Sequence, residues 1–296
     1  MIMAADLIEI ASGGLTARIN PLGAELWSLT DADGAEYMTN ADPAFWTGHA
    51  PVLFPIVGMV RDGRYRLDGK DYAIPKHGVA IGAAFAVVAQ DAGSATFRLT
   101  DNDATRAGFP FAFQLDQAFA LEGMTLRMIA TVHNPGQVPM PFSFGFHPAF
   151  AWPLPGGATK DAHRLVFEHD EPGPIRRIDP ASGLLLPDAQ PSPVRTRELA
   201  PTAALFEPDA LIWDALHSRA ASFGAEGGAW LDLVWPDTPM LGVWQKPGAA
   251  YLCIEPWAGI ADPVSYDGDF RAKPGIMELA PGAARSFRMD VTVRPA

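Results

Sequence analysis

The sequence predicts a mostly antiparallel β fold, on three observations. First, 28 Gly and 28 Pro make up about a fifth of the 296 residues, against roughly 12% in average proteins, which weighs against long helices and favours turns. Second, acidic-Gly dipeptides recur between short apolar runs, and such pairs supply the positive φ of tight hairpin turns. Third, apolar and polar residues alternate between them with a period of two, the pattern of a half-buried strand.

Taken in chain order, Asp33-Gly34, Asp62-Gly63 and Asp68-Gly69 are candidate reversals, the last flanked by Tyr65 and Leu67 alternating with Arg64 and Arg66. Glu122-Gly123 precedes Leu126, Met128 and Ala130, which alternate with Thr125, Arg127 and Ile129. In the 142–150 segment, Phe142, Phe144 and Phe146 point to a core, while Ser143, Gly145 and His147 share the opposite face. Pro148 biases His147 to extended backbone and removes a ladder donor, so the strand is expected to end there. Residues 151–195 carry twelve Pro and Gly positions from Pro153 to Pro193 and read as a long irregular excursion that binds or covers. Only Ala210 to Ala221 offers a helical spacing, and that segment is equally readable as strand and turn. Lys246-Pro-Gly-Ala249 has Pro and Gly at the two centres of a turn joining two strands. On the second of these, Tyr251, Cys253, Glu255 and Trp257 share one face, with Leu252 and Ile254 on the other. Asp267-Gly268 is the last candidate reversal. Strand-like patterns resume after the excursion with the same turn chemistry, so one domain, 1–296, is expected.

Composition excludes several classes. A net charge of −12 repels phosphate backbones and anionic lipids, so neither nucleic acid nor membrane is an expected partner. Met1 to Gly14 holds Asp6 and Glu9 and lacks a cationic start with a long apolar run, and no stretch approaches ~18 consecutive apolar residues. A cytoplasmic protein is expected. The single cysteine, Cys253, allows neither an internal disulfide nor a cysteine zinc cluster. A Gly-x-Ser-x-Gly elbow and a Gly-rich phosphate loop are both missing.

Three places carry chemistry. Pro51, Pro55 and Gly58 interrupt an apolar run before Lys76-His77-Gly78, where His77 either donates to a ligand or decorates a surface loop. His147 ends a strand face of small residues over which a ligand can approach, or is a buried structural histidine. Glu255 stands in so apolar a strand that it needs either a donor or a function. With Trp244 and Trp257 nearby, two imidazoles and a carboxylate suit a monosaccharide, whose C–H faces pack on aromatic rings while its hydroxyls seek charged or imidazole partners. Zinc ligation by two histidines and a glutamate is the competing chemistry, but no His-Glu-x-x-His spacing supports it. His163, Glu168, His169 and Asp170 read as decoration of a solvated loop.

At these residues the chain resembles the aldose 1-epimerase (galactose mutarotase-like) family, in particular its LacX-like branch. The stretches are Pro21-Leu-Gly-Ala-Glu25, Leu53-Phe-Pro-Ile-Val-Gly58, Tyr72 to Gly78, Phe144-Gly-Phe-His-Pro-Ala-Phe150, Cys253-Ile-Glu-Pro-Trp-Ala-Gly-Ile-Ala-Asp262 and Lys273-Pro-Gly275. The resemblance implies a single large antiparallel β-sandwich of the galactose mutarotase-like supersandwich type, a sugar site on a concave sheet, and no cofactor or metal. It implies His147 as general acid, Glu255 as general base and His77 as a sugar contact. Asp214, Trp244, Trp257 and Lys273 lie near motif positions for substrate binding. Relatives often carry arginines where this chain has Met59 and Ile81, which lowers the case for a sugar phosphate. Arg61, Arg64 or Lys76 are the substitutes, and Arg61 joins the substrate-binding set on that ground.

The implied activity is anomer interconversion by a monomer or homodimer. A noncatalytic sugar-binding or sensing protein of the same fold and a hexose-6-phosphate mutarotase are the alternatives. The mechanism asks for an ionised glutamate beside a protonated histidine, and mutual attraction with the negative field of the protein is expected to favour that state.

Overall fold

In the computed structural model, which describes residues 7–296 and so leaves Asp6 outside the described residues, the alternating stretches pair as antiparallel ladders. Thr125–His133 lies between Gln114–Glu122 and Ala284–Arg294 in full register, Met128 opposite Phe119 on one side and Met289 on the other. Leu126, Met128, Ala130 and Val132 are buried and the residues between them are half-exposed, as period-two alternation requires. These strands are the middle of a nine-stranded sheet that runs from Glu198–Leu199 at one edge to Ala86–Gln90 at the other.

A second sheet, of six strands, carries the segments singled out for chemistry. Leu211–Trp213, Met240–Trp244, Tyr251–Ala258, Phe144–Phe146 and Val52–Leu53 follow in that order, and Ala149–Ala151 also pairs with Tyr251–Ala258. The two sheets face each other through aromatic rings. Phe144 stacks on Phe287 with centroids 4.6 Å apart, and Phe167 meets Trp213 at 5.6 Å. One apolar cluster runs through both sheets, the arrangement of a β-sandwich. A three-stranded sheet, Ile8–Ser12, Leu15–Asn20 and Glu25–Asp31, adds its buried face to the same cluster.

The turn chemistry acts unevenly. Asp68 and Gly69, at φ 50° and 78°, close the hairpin between Arg64–Leu67 and Lys70–Ala73. The Glu122 hairpin turns on Gly123 and Met124, with Gly123 at φ 59°. Asp33-Gly34 closes the short bridge of Thr30 to Glu36. Asp62-Gly63 instead forms a 3₁₀ turn leading into a strand, and Asp267-Gly268 lies in a loop with Gly268 outside the positive-φ region, so neither reverses a hairpin. The Lys246–Ala249 turn joins its two strands as expected, through an Ala249 N–H to Lys246 C=O bond of 2.9 Å.

Two sequence readings are corrected and one left open is decided. The 151–195 excursion contains the strand Arg164–Phe167 of the large sheet. Ala210 to Ala221 is strand and turn, and the one α-helix among the described residues is Asp103–Gly108, held by a reciprocal Asn102–Thr105 cap. His163 is buried rather than on a solvated loop, accepting the Leu154 N–H at Nε2. Among the described residues no helix is long and apolar enough to cross a membrane.

Candidate functional site

The Tyr251–Ala258 strand is buried along its whole length, but its two faces meet different surroundings. Leu252 and Ile254 enter the main core. On the other face Glu255 and Trp257 line a cavity of about 880 Å³. Glu255 stands mid-strand although a proline follows it. Pro256 is tolerated there because the neighbouring chain breaks its ladder between Phe146 and Ala149. Ile254 donates its N–H to Pro148 across that break, and the backbone of residue 256 faces the same way, where a donor would have no regular partner.

The same break carries His147 off the end of Phe144–Phe146 and over the strand, so that its Nε2 lies 3.2 Å from Glu255 Oε2. Both residues are buried, and neither His147 Nδ1 nor Glu255 Oε2 has a hydrogen-bond partner. Two glycines make room beside them. A Cβ on Gly145 would lie 2.6 Å from Trp257 Cδ1, and one on Gly242, which pairs with Glu255, would lie 2.5 Å from the far edge of the same ring. The indole therefore lies flat across its two neighbours as part of the cavity floor.

Loops supply the walls. His77, at φ 67°, is clamped to Gly58 by a reciprocal pair: its N–H donates to Gly58 C=O at 2.9 Å and its Nδ1 accepts the Gly58 N–H at 3.1 Å. An accepting Nδ1 assigns the ring proton to Nε2, leaving a donor for a ligand. The His77 ring is edge-on to His147 at 5.6 Å, and Trp46 and Trp244 approach His147 at 5.0 and 6.1 Å.

Electrostatics overturns the expected charge state. Burial pushes the Glu255 carboxyl well above its ordinary 4.5 and the imidazole of His147 well below its ordinary 6.5; the positive charge of Lys76 also disfavours imidazolium. Without a ligand the pair therefore holds one proton on the carboxyl beside a neutral imidazole, because the desolvation of two charges outweighs their attraction. Burial likewise keeps His77 neutral.

His147, Glu255, His77, Trp244 and Trp257 are brought together on this cavity, whereas three other sequence candidates point elsewhere. Arg61 donates from its guanidinium to the Tyr266 and Val264 carbonyls. Lys273 donates to Ile260 C=O and lies 3.7 Å from Asp262; with Arg61 it lines a second, smaller cavity of about 200 Å³. Asp214 pairs with Arg176 at 3.0 Å outside both. Sequence reading missed Trp27, Trp46, His49 and Asp209, all on the wall. Asp209 is the one with a legible oddity, a carboxylate between Pro208 and an apolar run, and its φ of 74° marks a strained non-glycine backbone at the cavity. Trp27 and His49 stack at 3.8 Å.

The aldose 1-epimerase family model matches residues 6–202 of the chain. Chromosomal protein LacX of Lactococcus lactis subsp. lactis is 30% identical, over 97% of this chain and 99% of that one. Among solved structures, a galactose mutarotase related enzyme from Lactobacillus acidophilus superposes with a TM-score of 0.90 at 32% identity over 97% of both chains. A galactose mutarotase-like protein from Lactobacillus casei ATCC 334 does so with a TM-score of 0.90 at 29% identity, over 97% of this chain and 100% of that one.

Proposed function

Because the chain belongs to the aldose 1-epimerase family, we propose that it interconverts the α and β anomers of a free aldose by acid/base ring opening and closure. The observation that carries this reading is the His147–Glu255 pair, two buried titratable groups 3.2 Å apart on the floor of an aromatic-walled cavity. Binding a sugar asks only for aromatic and polar walls; it does not ask for a buried acid/base couple.

The resting pair and the working pair contain the same single proton. Shifting it from Glu255 to His147 gives a carboxylate beside an imidazolium, and sugar hydroxyls around the pair lower the cost of that separation. Glu255 then takes the proton of the anomeric hydroxyl while His147 protonates the ring oxygen. The bond from C1 to the ring oxygen breaks and an aldehyde forms. Rotation about C1–C2 and closure with the roles reversed give the other anomer and restore both protons. Each positioned group contributes ~10²–10⁴ in rate. His77, donating from Nε2, and Asp209 are the edge partners for hydroxyls.

The wall favours an uncharged sugar over a phosphorylated one. Lys76 is the one lysine or arginine among the described lining residues and shares the wall with Asp209, while Arg61 and Arg64 line the smaller cavity. The experiment is NMR exchange between anomers for a panel of free and phosphorylated aldoses. The expected result is acceleration over buffer for a free aldose; tight sugar binding with no acceleration would make the protein a sugar binder instead.

A further inference from the structure

We propose that His147, Cys253 and Glu255 form a binding site for a thiophilic divalent cation, Zn²⁺ in the first instance, and that its occupation switches off proton transfer on the cavity floor. The binding half stands on geometry alone; the switching half rests on the acid/base reading of the same pair.

Cys253 precedes Glu255 by two residues, so both side chains leave the strand on one face. Ala149 pairs with Cys253, which brings the chain leaving His147 directly over the thiol. As a result one ring nitrogen of His147, the Cys253 sulfur and one Glu255 oxygen all lie within 4.8 Å of one another. Zinc bonds of about 2.0–2.3 Å place tetrahedral ligand atoms about 3.3–3.8 Å apart, so side-chain adjustments of about an ångström close the site. Cys253 is a buried free thiol, and His147 Nδ1 and Glu255 Oε2 are buried without partners, so a cation breaks no existing hydrogen bond there. His147 and Glu255 border the cavity, which leaves the fourth position open to water or a sugar hydroxyl.

Charge balance suits a buried site. Binding Zn²⁺ displaces the thiol proton of Cys253 and the carboxyl proton of Glu255, both of which leave to solvent. The thiolate, carboxylate and neutral imidazole then match the two charges of the metal, so the cluster is neutral before and after. What changes is function: the lone pairs that would accept and deliver the sugar's protons are spent on the metal.

The test uses the intact protein and Co²⁺ as a coloured stand-in for Zn²⁺, without sugar. Because Cys253 is the only cysteine, a thiolate-to-cobalt charge-transfer band reports from this site alone. The expected result is a band that saturates at one metal per chain, is bleached by Zn²⁺, and disappears in Cys253→Ala; Cys253→Ser serves if circular dichroism shows the alanine variant unfolded. Saturating Zn²⁺ should slow anomer exchange about a hundredfold or more, reversibly on chelation, and leave exchange by the cysteine variant unmoved. Absence of the band, or Co²⁺ binding without it, overturns the site. A band with Zn²⁺-insensitive or Zn²⁺-stimulated exchange overturns the switch. If the protein shows no anomer exchange at all, the acid/base reading fails while the band still decides the site.

Discussion

At the cavity floor Glu255 faces His147 at 3.2 Å, whereas seven residues along the same chain Asp262 accepts the Arg61 N–H at 2.9 Å and lies 3.7 Å from Lys273. Burial raises both carboxyls; at Asp262 the Arg61 N–H and Lys273 pull back against it, while at Glu255 Lys76 and the Trp257 side chain pull back and Asp209 adds to the rise. Lys273 in turn is pushed down to about 8 by burial, with Asp262 resisting. The comparison teaches that a buried charge is not in itself a sign of function. A carboxylate that accepts a backbone N–H and faces a buried lysine ties loops together; one that faces an imidazole on the floor of a cavity is available to a substrate.

Glu255→Gln and His147→Asn should separate the two regions most sharply. Each should slow anomer exchange by ~10²–10⁴, read by NMR, while thermal unfolding at neutral pH is unchanged or improved, because Gln and Asn are buried neutral with no proton to take up on folding. A loss of stability without loss of exchange would reverse the comparison. The converse is Lys273→Met, which leaves Asp262 buried without its cation. It should cost about 3–5 kcal/mol of stability in denaturant unfolding, with sugar affinity kept in the fraction that remains folded.

A pH series sharpens the same contrast. His147 is lowered, so the unfolded chain takes up a proton there as pH falls below 6.5, and stability drops toward acid. Glu255 is raised, so the unfolded chain releases a proton there as pH rises above 4.5, and stability drops toward base. Between 4.5 and 6.5 the two slopes cancel, and the pair contributes a plateau with a fall on either side. Glu255→Gln should remove the alkaline fall and His147→Asn the acidic one, measured as unfolding free energy against pH. The smallest effect belongs to Asp214→Ala. Its half-exposed pair with Arg176 is worth about 0–1 kcal/mol, and sugar affinity should not move.

Much of the fold was legible because hairpin turns and period-two burial are local. Asp68-Gly69 reverses the chain wherever it sits, and Leu126, Met128 and Ala130 are inward in any sheet with one buried face. Asp267-Gly268 failed because the chain there is tied down by other bonds: Tyr266 donates its hydroxyl to Asp269 C=O, and Asp269 itself accepts from Arg271 and Asp68. The short Asp103–Gly108 helix carried too few residues for a periodic signal.

Within the site, Glu255 was conspicuous as a lone carboxylate in an apolar strand, and Trp257 shares its face by simple alternation. Arg61, Asp214 and Lys273 looked equally eligible as a list of residue types. Their partners, Val264 and Tyr266, Arg176, and Ile260 with Asp262, are up to 205 residues away, and no local pattern announces them.

What this chain determined by itself is the direction in which each strand side chain leaves the backbone, since pleating alternates faces regardless of context. Which of those faces became a cavity, and which charges in it were left unpartnered, was decided by loops folding back from distant parts of the chain. Trp46, His77 and Asp209 reach the His147–Glu255 pair only in three dimensions. The protonation state followed the same division: opposite charges were written into the sequence, but desolvation, which exists only in the folded protein, neutralised them.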